Sequence, residues 1–210
     1  MHDEYYEPGK EITIESRIRK SVFIGHVRIC GNEETAREKL KAISAVHKQA
    51  THNCWAYRVG IDRVQEYYSD DGEPGGTAGK PIMGALLRNG VTNCLLVVTR
   101  YYGGIKLGVR GLIEAYGNTA QESLNAAGRV LKRIRVPLKI SLPYDMISNT
   151  ERMLLAFDTD KEFCRFQYDA VVSLCCAIPA ISIPSVINIL EEWKNTGKIY
   201  EWEKQSGDDM

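Results

Sequence analysis

The sequence predicts an α+β protein of two domains, residues 1–128 and 129–210. Three observations carry that reading. Up to Gly128, segments of strand period are interleaved with segments of helical period. After Gly128 the texture changes to alternating basic and apolar residues, RVLKRIRVPLKISLP. The remaining segment then orders its elements β-α-β-β-α-β, the split βαβ unit. A length of 210 residues suits one large or two small domains.

Residues 11–16 (EITIES) and 21–30 (SVFIGHVRIC) alternate apolar and polar side chains and flank a basic turn, so they predict two half-buried strands. Asn32 opens a helix. Its side chain suits a cap, Glu33 and Glu34 suit the positive end, and Leu40, Ile43 and Val46 recur at helical spacing. Cys54 to Val59 predicts a strand, with Glu66 to Tyr68 as its hairpin partner. Residues 69–80, SDDGEPGGTAGK, hold four glycines, a proline and three acids and predict a loop. Pro81 starts the next helix, where a missing N–H costs nothing. Ile82, Met83, Leu86 and Leu87 form its apolar face and Gly90 ends it. Cys94 to Val98 is a continuous apolar run, the pattern of a central strand buried on both faces. A third helix runs from Val109 to about Ala127, with Leu112, Ala115, Tyr116, Thr119, Ala120 and Leu124 inward, and stops at Gly128.

Beyond Gly128 the basic run predicts a strand, with Arg129, Arg133, Arg135 and Lys139 on one face. It reads either as a nucleic-acid edge or as a charged guard on a sheet edge. A helix over 145–156, strands over 161–168 and 170–178, a helix over 183–194 and a strand over 198–204 complete the second domain.

Composition excludes some functions. Lys plus Arg and Asp plus Glu are equal at 27 each, so the whole chain has no bulk attraction for nucleic acid. The six cysteines, at 30, 54, 94, 164, 175 and 176, form no CxxC pair and lie mostly among apolar strand residues. They read as reduced core thiols. The N-terminal MHDEYYEPGK has no apolar segment of a signal peptide, and no apolar run reaches the roughly 18 residues of a membrane span. A cytoplasmic protein without a membrane partner is expected.

Two glycine loops carry the functional signal. The first is Asp70-Asp71-Gly72-Glu73-Pro74-Gly75-Gly76-Thr77-Ala78-Gly79-Lys80. The second is Arg100-Tyr101-Tyr102-Gly103-Gly104-Ile105-Lys106-Leu107-Gly108. Each leads into a helix N-terminus, whose unpaired N–H groups and partial positive charge favour anions. Lys80, Lys106, Arg100 and Arg110 add full charges. The Walker and dinucleotide patterns both fail: Pro81 follows Gly79-Lys80, and the second loop reads G-G-x-x-x-G-x-x-G. Close packing at strand–helix junctions is the alternative use for these glycines.

Other constellations are weaker. Asp70, Asp71 and Glu73 lack calcium-loop spacing and read as a solvated acidic turn, with Mg²⁺ as the rival. His47, His52 and Cys54 match no zinc spacing. His52 and Cys54 would share a strand face, which keeps a nucleophilic Cys54 open beside a packed His52. Tyr67, Tyr68, Tyr101 and Tyr102 suit either base stacking or simple packing with the hydroxyl in water.

The stretches THNCWAYRVG, YSDDGEPGGTAGKPI and VVTRYYGGIKLGVRGLIEAYG together resemble the IMPACT/YigZ family over roughly residues 10–127. The resemblance implies an N-terminal domain like the second domain of ribosomal protein S5. It also implies a smaller ferredoxin-like C-terminal domain, similar to one in elongation factor G. Eukaryotic relatives regulate translation through protein partners, using an additional domain not found in these residues. Carried over by motif, the implied functional surface is Asp70, Asp71, Gly72, Glu73, Gly76, Thr77, Arg100, Tyr101, Gly103, Gly104, Lys106 and Gly108. Two departures stand out: Gly75 where relatives commonly have serine, and Val109-Arg110 in place of a small pair before Gly111.

The resulting expectation is a non-catalytic, translation-associated regulator. It binds RNA, the ribosome or a translation-associated protein through anion-friendly loops, with no cofactor and no metal. The alternatives are a hydrolase of a phosphorylated or peptide-like small substrate, and a pure protein-interaction module. The sequence fixes no oligomeric state.

Overall fold

The computed structural model describes residues 4–61, 63–159 and 161–205. The chain divides into two compact units that meet between Lys132 and Arg133. In the first, strands β2 (Ile12–Ile18), β3 (Ser21–Ile29), β4 (His52–Val59), β5 (Gln65–Ser69) and β6 (Cys94–Tyr101) form an antiparallel sheet in the order β2-β3-β6-β4-β5. The apolar run over 94–98 is thus the middle strand. Its residues are buried from Cys94 to Arg100 because helices cover both faces.

Helices α2 (Gly79–Asn89) and α3 (Gly108–Ala127) lie on one face, over Phe23, Val27, Cys54, Ala56, Leu96 and Val98. Helix α1 (Glu33–Val46) covers the other, over Tyr57, Val59, Leu95 and Val97. Asn32 caps α1 by accepting the Thr35 N–H at 2.8 Å. Helix α2 begins at Gly79, two residues before Pro81, so the missing N–H still falls among the first-turn groups that lack an intrahelical partner. Leu87 does not join the inner face of α2. It is exposed, one helical step beyond Leu86, and Val46 at the end of α1 is exposed as well.

The segment after Gly128 is not one basic stripe. It breaks at Ile134 into β7 (Arg129–Arg133), paired with β1 (Glu4–Pro8), and β8 (Arg135–Leu142) in the second unit. The pairing ties β7 to the first unit's N-terminal strand. It also gives the basic residues local partners. Arg129 lies over the Tyr6 ring at 4.3 Å, Arg133 pairs with Asp158 at 2.7 Å, and Arg135 lies over Phe163 at 3.6 Å.

The second unit has a four-stranded antiparallel sheet in the order β11-β8-β10-β9, where β9 is Cys164–Tyr168, β10 Val172–Pro179 and β11 Glu201–Lys204. Helices α4 (Ile147–Ala156) and α5 (Ile183–Asn195) supply Leu154, Val186 and Leu190 to a core with Leu138, Ile140, Leu142, Leu174 and Cys176. The element order is β-α-β-β-α-β. Alternate β8 residues are buried, which is the mark of a sheet packed on one face.

On the α1 side of the first sheet sits a buried polar group, His26. Thr99 donates its hydroxyl to Asn53 at 2.7 Å, and Arg28 donates to Thr13 at 3.0 Å. Thr99 is therefore left to accept from His26 Nε2–H, and Thr13 to donate to Nδ1. This network fits the neutral imidazole. Burial above all, then the charges of His47 and Arg28, push its pKa down to about 4 from 6.5. The unfolded chain takes up this proton as pH falls through 6.5, and the folded chain does so only near 4. Stability from this group is therefore complete above 6.5 and is lost between 6.5 and 4, by on the order of 3 kcal/mol. Urea titrations across that window should show the loss, and His26→Gln should flatten it. Equal slopes for the two proteins would refute the assignment.

Candidate functional site

Both glycine loops lie at the same end of the first sheet, tied to the last residues of β6. Strand alternation sends Arg100 and Tyr101 to opposite faces. Arg100 turns toward α2 and α3. Tyr101 turns toward α1, where its hydroxyl lies 3.0 Å from His47 Nδ1. The expected grouping of Arg100 with Tyr101 is thus divided by the sheet.

Arg100 is only 5% exposed. Its guanidinium sits between the rings of Phe23 and Tyr102, 5.5 and 5.3 Å from their centroids, and donates to Glu73 Oε1 at 2.6 Å. The same oxygen accepts the Tyr116 hydroxyl at 2.8 Å. His52 Nε2 stands 3.9 Å away. Burial first, then neighbouring Cys54 and Glu73, raise the Tyr116 phenol, which stays protonated and donating. A guanidinium this deep must be paired, and Glu73 pairs it. Arg100 therefore does not stand out to solvent as an anion contact, although its Nε has no partner among the described residues.

The first loop folds on itself. Asp70 accepts three backbone N–H groups, from Gly76 at 2.8 Å, Ala78 at 2.9 Å and Gly79 at 2.8 Å. Burial pushes its pKa up, but the three amides outweigh this and hold the carboxyl below its usual value. The anion at the N-terminus of α2 is thus the chain's own Asp70. Glycine is required at 79, where a Cβ would come within 2.8 Å of the Ser69 carbonyl. Asp71 accepts the Asn53 N–H at 2.6 Å, and Thr77 donates to the Pro74 carbonyl at 2.7 Å. Gly72 lies against the His52 ring.

These bonds account for the three acids one by one, and among the described residues no group of three His, Cys, Asp or Glu is placed to hold a metal. His52 and Cys54 do share a face. Each is spent on the loop backbone, His52 Nδ1 at 2.7 Å from the Asp71 carbonyl and Cys54 Sγ at 2.9 Å from that of Asp70. Burial pushes the Cys54 thiol up to about 12, which removes the thiolate a nucleophile needs. His47 lies on the other side of the sheet.

The second loop is open. Gly104, Lys106 and Gly108 are exposed. Helix α3 has no side-chain cap and no acid in its first turn, whereas the amides of Ala78 and Gly79 at the start of α2 are taken by Asp70. Gly103 is where the loop meets the β2–β3 turn: a Cβ there would lie 1.9 Å from the Lys20 carbonyl oxygen, so only glycine lets the two backbones touch. The contact sets Arg19 and Lys20, both exposed, beside the loop that carries Lys106. The sequence shows a basic turn at 17–20 but gives no sign that it touches residue 103, far along the chain. The tyrosines make no common stacking platform: Tyr102 covers Arg100, Tyr67 packs on Tyr57, and Tyr101 meets His47.

An antiparallel sheet with helices on both faces, closed at one end by a self-capped acidic loop and an open basic loop, followed by a β-α-β-β-α-β unit, defines the class. The model of the Impact N-terminal domain matches residues 19–124. An IMPACT family member of Haemophilus influenzae is 34% identical over 93% of this chain and 95% of its own length. YvyE of Bacillus subtilis is 41% identical over 65% of this chain and 63% of its own, and YigZ of Escherichia coli 34% over 84% and 86%. A crystal structure described as that of a hypothetical protein superposes with a TM-score of 0.69 at 30% identity, covering 99% of this chain and 100% of that one. The chain belongs to the IMPACT family.

Glu73→Ala leaves Arg100 buried without its carboxylate. It is expected to cost about 3–5 kcal/mol in urea unfolding, with part recovered in Glu73→Ala/Arg100→Met. A cost below about 1 kcal/mol would mean that the pair does not hold the site together.

Proposed function

We propose that this chain is a cytoplasmic, non-catalytic, translation-associated protein that binds RNA or a phosphate-rich ribosomal surface. The contact surface is the second glycine loop with the β2–β3 turn. The observation that carries the reading is the seating of that turn on Gly103, which sets the exposed Arg19 and Lys20 beside the loop of the exposed Lys106, with no ion pair at any of the three among the described residues. The uncapped amides at the start of α3 add to the same anionic preference. Family membership supports the translational setting. The acids of the first loop are committed to the framework, so Gly103, Gly104, Lys106 and Gly108 face the ligand, while Asp70, Asp71, Gly72, Glu73, Gly76, Thr77 and Arg100 hold them in place.

The fold reading belongs with this. We take the first unit as S5-domain-2-like and the second as ferredoxin-like, a reading supported by the sheet order β11-β8-β10-β9.

The test is co-sedimentation with ribosomes at low and moderate salt, comparing wild type with Arg19→Asn/Lys20→Asn/Lys106→Gln. Arg19 and Lys20 have φ of 45° and 69°, and asparagine tolerates that region, so the turn survives. Wild type should pellet in a salt-dependent way. The variant should bind weakly, with a log–log salt slope shallower by about 2. Equal pelleting of the two proteins, or wild type free at every salt, would overturn the proposal.

A further inference from the structure

Among the described residues, strand β2 is an edge of the first sheet and pairs with β3 alone. Its two-residue turn, Arg19-Lys20, has both residues at positive φ, the signature of a tight hairpin closed on the Ile18–Ser21 pair. Counting back from that pair, the antiparallel ladder points the N–H and C=O of Ile18, Ser16, Ile14 and Ile12 at β3. Those of Arg17, Glu15 and Thr13 face outward. On the helix face of the edge, Ser16 donates its hydroxyl to Glu122 of α3 at 3.0 Å, and a groove of about 820 Å³ runs along the two elements, lined by Ser16, Ile18, Leu107, Arg110, Glu114 and Glu122 among others. The backbone edge is therefore open to a further strand.

The side chains say which strand. Glu15 and Arg17 lie two apart on the exposed face and pair with each other at 3.1 Å. Ile14 and Ile18 lie on the groove face. We propose that the edge of β2 is a homodimer interface, in which a second copy adds its own β2 antiparallel about a twofold axis at Ser16. That axis sets Glu15 opposite Arg17 of the second copy, and Arg17 opposite its Glu15. Both are outward-facing residues, so these pairs also exchange the backbone hydrogen bonds. The same axis sets Ile14 against Ile18 on the groove face. One strand thus satisfies both its charges and its apolar residues by meeting itself. An edge guarded only against pairing would serve as well with charges of one sign; opposite charges two apart are what antiparallel self-pairing matches. The interface is independent of the anion reading, which uses Arg19, Lys20 and Lys106.

Sedimentation velocity of the full chain over the micromolar range tests it. Wild type should be dimeric. Glu15→Arg and Arg17→Glu should each weaken the dimer roughly tenfold or more, since each sets two like pairs face to face. The double swap Glu15→Arg/Arg17→Glu should restore it, and mixing the two single variants should give a mixed dimer. The side chains of Glu15 and Arg17 are 50% and 79% exposed, so the variants keep the fold, which circular dichroism checks. A monomer throughout that range, a dimer indifferent to either single change, or a swap that fails to restore association would overturn the proposal.

Discussion

The buried pair of Arg100 and Glu73 organises this end of the molecule. A guanidinium at the end of the central strand, packed between two aromatic rings, needs a carboxylate at the same depth. That carboxylate comes from the first glycine loop, so the loop has to turn inward at residue 73. Tyr116 from α3 reaches the same oxygen. One carboxylate therefore joins the strand, the loop and the helix, and the rest of the loop is built around its entry. Asp70 caps α2, Asp71 holds the β4 backbone, and the glycines let the chain turn tightly enough to do both.

The two loops, alike in composition, consequently do opposite things. The acidic loop supplies its own anion to its own helix. The basic loop leaves its helix start uncapped and its lysine in solvent. Electrostatics separates them where glycine content does not: the loop with carboxylates closes on its own amides, and the loop without them leaves the amides of its helix start uncapped. The same logic runs through the basic segment after Gly128, whose arginines find rings and an acid within reach.

Much of the fold was legible because its signals are local. The apolar run at 94–98, the Asn32 cap and the Gly90 and Gly128 stops each act within a few residues. The N-terminal strand β1 was not legible, since EYYEP carries no alternation and its strand form rests on distant partners, β7 and the bridge of Tyr6 to Val91. The site was half legible. The loops stood out by their glycines, but their division of labour depends on contacts such as Asp70 with the amides of 76, 78 and 79, which need the turn to be formed first. Arg100 read as a surface cation because it ends the apolar run and leads into tyrosines and glycines. Its burial is set by Phe23 and Glu73, both distant in the chain. Arg19 and Lys20 were visible as a basic turn, yet their place beside residue 103 follows from the β3–β6 pairing of Val22 with Tyr101.

The central claim, that one buried ion pair holds both loops, is tested most directly by hydrogen exchange on Arg100→Met against wild type. If the claim is right, the amides of Gly76, Ala78 and Gly79 in the first loop and of Tyr102 and Gly103 beside the second lose protection together, while α1 and the second unit are unchanged. Faster exchange at Tyr102 and Gly103 alone, with the Asp70-bound amides as protected as before, would show that each loop is held independently and would contradict it.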